Sequence, residues 1–151
     1  MIRRAVPGEA AAIQALVRQA YAPWVAIVGR EPRPMQDDYA ARIAAGQAWV
    51  LDEDGLAAVT ILENAPDHLM IENVAVAPGR QGRGLGRRMI AHAATLARAA
   101  GCSELRLYTN ALMRDNIALY EHLGFHETHR DASSNFNRVY MSLDFTASVT
   151  L

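Results

Sequence analysis

The sequence predicts one α+β domain covering residues 1–151. Three observations carry that expectation. Short apolar runs of period two are joined by tight-turn dipeptides, apolar stripes of helical period lie between other punctuation residues, and a glycine-rich turn separates a strand-like from a helix-like segment. At 151 residues the chain can bury roughly 70% of its unfolded surface in one core without a metal or disulfide staple.

In order along the chain, residues 2–6 read as a short strand, and Pro7 to Glu9 open a helix carrying Ile13, Leu16, Val17, Ala20, Tyr21 and Trp24 at helical spacing. Pro23 is expected to end or kink it. "VAIVGREPRPM" then suits a loop or short helical turns, and Met35, Tyr39 and Ile43 mark a second helix stopped by Gly46. "QAWVLDEDGLAAVTILE" reads as two strands turning at Asp54-Gly55, a pair that accepts the positive φ of a tight turn. "NAPDH" leads to a third antiparallel strand, "LMIENVAV". Leu85, Met89, Ala93, Leu96 and Ala100 form a helical stripe closed by Gly101. "ELRLYT" alternates as a strand, "RDNIALYEHLGF" is a short helix ended by Gly124, and "FHETHR" and "NRVYMSLDF" are two more strands around a polar loop at 131–135.

Composition prunes the chemistry. A hydrophobic fraction of 51%, a charged fraction of 21% and a net charge of −1 describe a globular protein with no broad nucleic-acid affinity. All 15 basic residues are arginine, which excludes a lysine Schiff base or a lysine P-loop. Cys102 is alone, so there is no internal disulfide and no multi-cysteine metal cluster. No apolar run reaches about 18 residues, and Pro7, Gly8 and Glu9 interrupt any leader-like stretch. The expectation is a cytoplasmic protein without a membrane partner. His122, His126 and His129 are close in sequence, but Gly124 intervenes and 126 and 129 point to opposite faces of a strand, so no metal is expected.

The densest signal is "VAVAPGRQGRGLGRRMI", residues 74–90, with four glycines and four arginines between strand and helix. Such a turn gathers backbone N–H groups at a helix N-terminus, where the dipole favours an anion. Gly82, Gly84 and Gly86 remove Cβ atoms that would hold a phosphate away, and Arg80, Arg83, Arg87 and Arg88 add guanidinium donors. A dinucleotide fingerprint fails because Arg87 stands where its third glycine belongs, and a P-loop fails because Leu85 stands at the lysine. The pattern that remains is Gln81-x-x-Gly84-x-Gly86. Its structural alternative is a plain tight connection with a solvated arginine face.

"VAVAPGRQGRGLG" resembles the coenzyme A loop of the GNAT superfamily of N-acetyltransferases, and "NIALYEHLGF" is similar to its second signature, an asparagine, a tyrosine four residues on, and Gly-Phe. The resemblance implies a three-layer αβα sandwich: a mixed, mostly antiparallel sheet of about seven strands flanked by helices, with strands 4 and 5 (residues 68–76 and 104–109) splayed apart. It implies that the amides of Gln81, Gly82, Arg83, Gly84, Gly86 and Arg87 hold the pyrophosphate of acetyl-CoA, that Val74, Ala75 and Val76 pair with pantetheine, and that Asn116 faces the same ligand. Tyr120 is the implied general acid toward the departing thiolate, since a phenol near pKa 10 and a thiol near 8.5 exchange a proton easily. Glu72 shares strand parity with Met70, Val74 and Val76, a carboxylate on an apolar face that would take the acceptor's proton. Asn73, of opposite parity, is a further polar candidate. Tyr21, Trp24, the loop "REPRPM" with Met35, and Tyr39 are implied to line the acceptor site, where Asp37 and Asp38 either attract a cation or head the following helix.

The function implied is acetyl transfer from acetyl-CoA to a primary amine, small molecule or peptide, directly in a ternary complex without Cys102 and without metal. Two readings compete with it: a non-catalytic acyl-CoA sensor, and an interaction subunit forming a homodimer through its last strands and the tail "TASVTL".

Overall fold

The computed structural model describes residues 1–132 and 137–145. Its strands are β1 (Ile2–Arg4), β2 (Ala48–Asp52), β3 (Leu56–Asn64), β4 (His68–Val76), β5 (Glu104–Asn110), β6 (His126–Asp131) and β7 (Arg138–Asp144). They form one seven-stranded sheet in the order β1-β2-β3-β4-β5-β7-β6. Every neighbouring pair is antiparallel except β4 and β5, which run parallel. The connection between those two is α3 (Leu85–Ala99), the crossover that a parallel pair demands. The other helices are α1 (Ala10–Val28), α2 (Tyr39–Ala44) and α4 (Arg114–His122).

The sheet is covered on both faces, as expected. On one, Ile13, Leu16 and Val17 of α1 and Ile43 of α2 pack on Val50, Val59, Ile61 and Ala75. On the other, Ile90, Ala93 and Ala97 of α3 and Tyr120 of α4 pack on Leu69, Ile71, Leu105, Leu107 and Met141. The hairpin between β2 and β3 turns at Asp54 and Gly55, with φ of 52° and 108°. Among the described residues no helix is long and apolar enough to cross a membrane.

Two local expectations are corrected. The first helix does not end at Pro23 but continues to Val28, where Gly29 (φ 88°) closes it by donating to the Val25 carbonyl at 2.8 Å. Proline removes one ladder bond, but Trp24, Val25 and Val28 pack on the core beyond it and hold the last turn in place. Met35 does not belong to the second helix. It sits in a separate 3₁₀ turn, Arg33–Gln36, because Asp38 caps α2 by accepting the Ala41 N–H at 3.0 Å and so sets its start at Tyr39. Most of the polar loop expected at 131–135, and the tail "TASVTL", lie outside the described residues.

Gly124, between α4 and β6, has φ of 103°, and a Cβ there would stand 3.1 Å from Leu143 Cδ1 of β7. Gly124→Ala is expected to lower the unfolding free energy by about 1–3 kcal/mol through backbone strain and overpacking. Urea unfolding checks this, and an unchanged midpoint would contradict it.

Candidate active site

The site begins with a break in the sheet. Strands β4 and β5 pair from His68 opposite Glu104 to Ile71 opposite Leu107 and no further. The register of β3 on β4 slips at the same place: Ile61 faces Asn73 while Leu62 faces Ile71, leaving Glu72 as the extra residue of a β-bulge. The bulge overturns the parity expected from sequence. Leu69 and Ile71 pack on the α3 side, and so do Val74 and Val76, while Asn73 and Ala75 turn to the α1 side. Glu72 therefore leaves the apolar face of Val74 and Val76 and meets polar groups instead. The Tyr108 hydroxyl donates to its Oε2 at 2.7 Å, and Arg33 Nη1 lies 3.7 Å from the same oxygen.

Past the bulge, β4 has one free edge. Ala77 N–H donates to the Ala57 carbonyl, so by antiparallel alternation Ala75 and Ala77 spend their backbone groups on β3, whereas Val74 and Val76 point theirs into the gap. The Val74 carbonyl accepts the Tyr21 hydroxyl at 3.2 Å and that of Val76 accepts Gln81 Nε2 at 3.4 Å. The N–H groups of Val74 and Val76 remain open to the gap.

The glycine loop follows directly. The Arg80 and Arg88 N–H groups bond to the Ala77 and Gly84 carbonyls, but among the described residues none of the N–H groups of 81–87 enters a backbone hydrogen bond. They surround the N-terminus of α3, which has no side-chain cap. Gly82 and Gly84 hold φ of 82° and 74°, so the turn itself requires them. Gly86 is different. Its φ is not positive, and a Cβ there would make only an ordinary 3.8 Å contact with Val76, so nothing in the chain demands a glycine on the first turn of this helix. The loop arginines divide. Arg80 clamps the β2–β3 turn through the Glu53 and Asp54 carbonyls and Arg88 pairs with Glu53 at 2.8 Å, so both serve the fold and not an anion. Arg83 and Arg87 make no hydrogen bond or ion pair among the described residues.

Two cavities meet at Tyr21, Val74, Asn116 and Tyr120. The loop cavity, about 420 Å³, is lined by Trp24, Ala75, Val76, Leu119 and the loop residues Gln81, Gly82, Gly84, Gly86 and Arg87. The gap cavity, about 60 Å³, enters between the parted strands and is lined by Arg33, Glu72, Asn73, Tyr108, Thr109, Met113 and Arg138. Asn116 and Tyr120, one turn apart on α4, border both. Burial pushes the Tyr120 phenol up to about 12. Its ring packs edge-on against Phe125, and its hydroxyl has no hydrogen-bond partner among the described residues. Glu72 is also raised, chiefly by burial and further by the neighbouring Glu63 carboxylate, while the Tyr108 hydrogen bond and Arg33 pull it down.

The remaining sequence candidates separate. Met35 is a core residue and lines neither cavity. Tyr39 is also buried, and its hydroxyl donates to the Pro34 carbonyl at 2.5 Å while accepting Asn73 Nδ2 at 3.0 Å. Asp37 is held by Arg42 at 3.0 Å and Asp38 caps α2, so neither acid stands at a cavity. Tyr108, Thr109, Met113 and Arg138 join the site without a sequence signal of their own. The strand alternation of 104–110 shows which of them share a face, but not that β5 borders a gap. Among the described residues no group of three His, Cys, Asp or Glu converges as a metal site would.

The Acetyltransferase (GNAT) family model matches residues 12–125. Over 75 residues, 50% of this chain and 51% of the relative, the sequence is 39% identical to the ribosomal protein bS18-alanine N-acetyltransferase of Salmonella typhimurium. Over 57 residues, 38% of this chain and 30% of the relative, it is 40% identical to streptothricin acetyltransferase of Streptomyces lavendulae. The chain thus spans about half or less of the length of these curated relatives. The PaiA N-acetyltransferase of Thermoplasma acidophilum, solved in complex with coenzyme A, shares the fold: the TM-score is 0.84 at 14% identity, over 96% of this chain and 98% of that one.

Because the Tyr108 hydroxyl stabilises the ionised form of Glu72, Tyr108→Phe is expected to move the Glu72 titration to higher pH. Carboxyl-carbon NMR across pH 4–8, with Glu72→Gln to assign the signal, reads the shift. A midpoint that stays or falls would contradict the assignment of that hydrogen bond.

Proposed function

The chain belongs to the acetyltransferase (GNAT) family, and from that premise we propose that it transfers an acetyl group from acetyl-CoA to a primary amine, directly within a ternary complex. The observation that carries this reading is the set of unspent amides at 81–87, opening on the same cavity as Tyr120. Peptide N–H groups at a helix N-terminus suit a diphosphate, and Arg83 and Arg87 add charge beside them. The bare Gly86 supports the fit: a glycine on a helix costs up to about 1 kcal/mol relative to alanine, so its presence on this first turn without an internal reason favours close approach of a ligand.

Acetyl-CoA supplies a thioester-activated acetyl group. The open N–H of Val74, and that of Val76, suit strand-like pairing with the extended pantetheine arm, and in this reading Val74 donates to the thioester oxygen. Ala75 contributes a wall and no backbone group, since its own are used by β3. Glu72 takes a proton from the acceptor ammonium, a task helped by the rise that burial gives its carboxyl. The freed nitrogen forms the C–N bond as the C–S bond breaks, Tyr120 gives its proton to the departing sulfur, and the second proton that the nitrogen sheds on becoming an amide passes through solvent to restore the phenol. A phenol raised to about 12 stays protonated throughout the working range. It is a weaker acid than an unperturbed phenol, but the same desolvation raises any thiol beside it, so the two acidities move together. Asn116 holds the ligand from the same face of α4.

An amine as the acceptor is supported by relatives named for acetylating an alanine of ribosomal protein bS18 and streptothricin. A cytoplasmic location fits the unpaired Cys102.

Two variants test the reading. Tyr120→Phe is expected to lower turnover about 10²–10⁴-fold with acetyl-CoA affinity nearly unchanged, measured by free-thiol release with an amine panel and by calorimetry. Equal turnover would remove Tyr120 from the chemistry. Gly86→Ala is expected to weaken coenzyme A binding at least tenfold while holding or raising stability by up to about 1 kcal/mol. Unchanged affinity would reduce the loop to a tight connection.

A further inference from the structure

Behind Glu72 stands a second carboxyl that lines neither cavity. Glu63 of β3 is opposite Met70 of β4, and Glu72 is two residues beyond Met70, so the two glutamates are diagonal neighbours across the strand pair. Backbones on that diagonal stand about 7–8 Å apart, a span that two glutamate side chains bridge. Leu62 and Ile71 pack on the α3 side, so the residues that follow them, Glu63 and Glu72, turn to the opposite face, where Arg42 of α2 meets Glu63. There the two carboxyls are in hydrogen-bonding contact.

The charge around this pair is matched. Arg42 lies 3.3 Å from Glu63 and 3.0 Å from Asp37, and Arg33 lies 3.7 Å from Glu72 and 3.9 Å from Asp37. Arg138, over the Tyr108 ring at 4.3 Å, attracts Glu72 and also hydrogen-bonds to the Tyr140 hydroxyl. Three guanidinium groups thus face three carboxyls, and the Tyr108 hydroxyl donates to Glu72. What sets the pair apart is the contact itself. Two carboxylates offer acceptors only, so a hydrogen bond between them requires a proton. Burial and Glu63 raise Glu72, while the hydrogen bond with Glu72 and the charge of Arg42 lower Glu63, so the shared proton rests on Glu72. Access to water is divided the other way: the Glu72 side chain is 10% exposed and that of Glu63 42%.

We propose that Glu63 is a positioning residue for proton removal, which holds the proton that Glu72 takes from the acceptor ammonium and hands it to water. The proposal rests on the acetyltransferase reading, in which Glu72 meets the acceptor and Glu63 does not. An N–H bond of the ammonium breaks as an O–H bond forms on Glu72. That O–H donates to Glu63, so a contact between two acceptors becomes a hydrogen bond, a gain that a lone buried glutamate lacks. The proton then crosses: the O–H bond on Glu72 breaks as one forms on Glu63, and the more exposed carboxyl releases it to solvent. Both groups end as carboxylates.

The test follows free thiol from acetyl-CoA between pH 5 and 9, with a panel of the common L-amino acids, spermidine and a tripeptide, in the wild type and in Glu63→Gln. Glutamine keeps the side-chain length and can still accept from Arg42 and donate to Glu72, but it cannot carry the proton. With the acceptor that the wild type uses fastest, kcat is expected to fall about tenfold and KM to stay nearly unchanged. The acid limb of kcat/KM is expected to move to lower pH, because losing Glu63 removes an influence that raises Glu72 and its carboxylate forms sooner as pH rises. The Glu72 carboxyl signal, read by NMR without substrate, is expected to shift its midpoint the same way. A kcat equal to that of the wild type, or a limb or midpoint that stays or rises, overturns the proposal while the acetyltransferase reading stands. A wild type that binds acetyl-CoA but releases no thiol with any amine overturns both.

Discussion

A sheet that parts in its middle must find other partners for the backbone groups it exposes. In this protein the parting follows Ile71 and Leu107, and it governs what surrounds it. An N–H or carbonyl buried without a partner costs about as much as a lost hydrogen bond, so the free edge of β4 cannot simply be left. Side chains answer the carbonyls of Val74 and Val76, through Tyr21 from α1 and Gln81 from the loop. The amides stay open, and an extended ligand is the partner that strand geometry suits. The bulge at Glu72 does two things at once: it bends β4 out of the ladder, and it swings a carboxylate from the face of α3 to the polar side of the gap. One extra residue in one strand therefore makes both the cleft and its titratable group.

Burial and charge then divide the work. Tyr120 belongs to the core packing of α4 and to the cavity wall alike, and this double membership gives it a fixed ring and a desolvated hydroxyl. The arginines show the same economy. Arg80 and Arg88 fasten the loop to the β2–β3 turn, holding its amides in one arrangement, while Arg83 and Arg87 are exposed and make no hydrogen bond or ion pair among the described residues. On the opposite side Arg42 absorbs Asp37 and Glu63, so that Arg33 is left with long contacts only. A chain without lysine uses one cationic side chain both to fasten its turns and to charge its surface, and the partners at hand decide which is which.

Much of the fold was legible because its signals are local. Alternation marked the strands, helical spacing marked α1 and α3, and Asp54-Gly55 marked a turn that does adopt positive φ at both residues. The glycine loop was legible for the same reason, since free amides at a helix start are a property of a dozen consecutive residues. Helix ends were less so. Pro23 was expected to end or kink α1, but the helix runs on to Val28, because apolar contacts from the following turn outweigh one missing ladder bond. Tyr39 and Met35 looked like acceptor-site residues and are buried, one as a support for Asn73 and one as core.

By itself, then, the sequence determined the element types, the family signatures and the glycine loop between β4 and α3, all of which rest on interactions among residues near in the chain. Only the tertiary structure decided which way Glu72 faces, that Asn73 Oδ1 has no partner among the described residues, and that Arg33 and Arg138, far apart in the chain, line one cavity. The physical reason is register. A one-residue slip between two strands reverses the face of a side chain, and it is set by packing across the whole sheet, which no local pattern records.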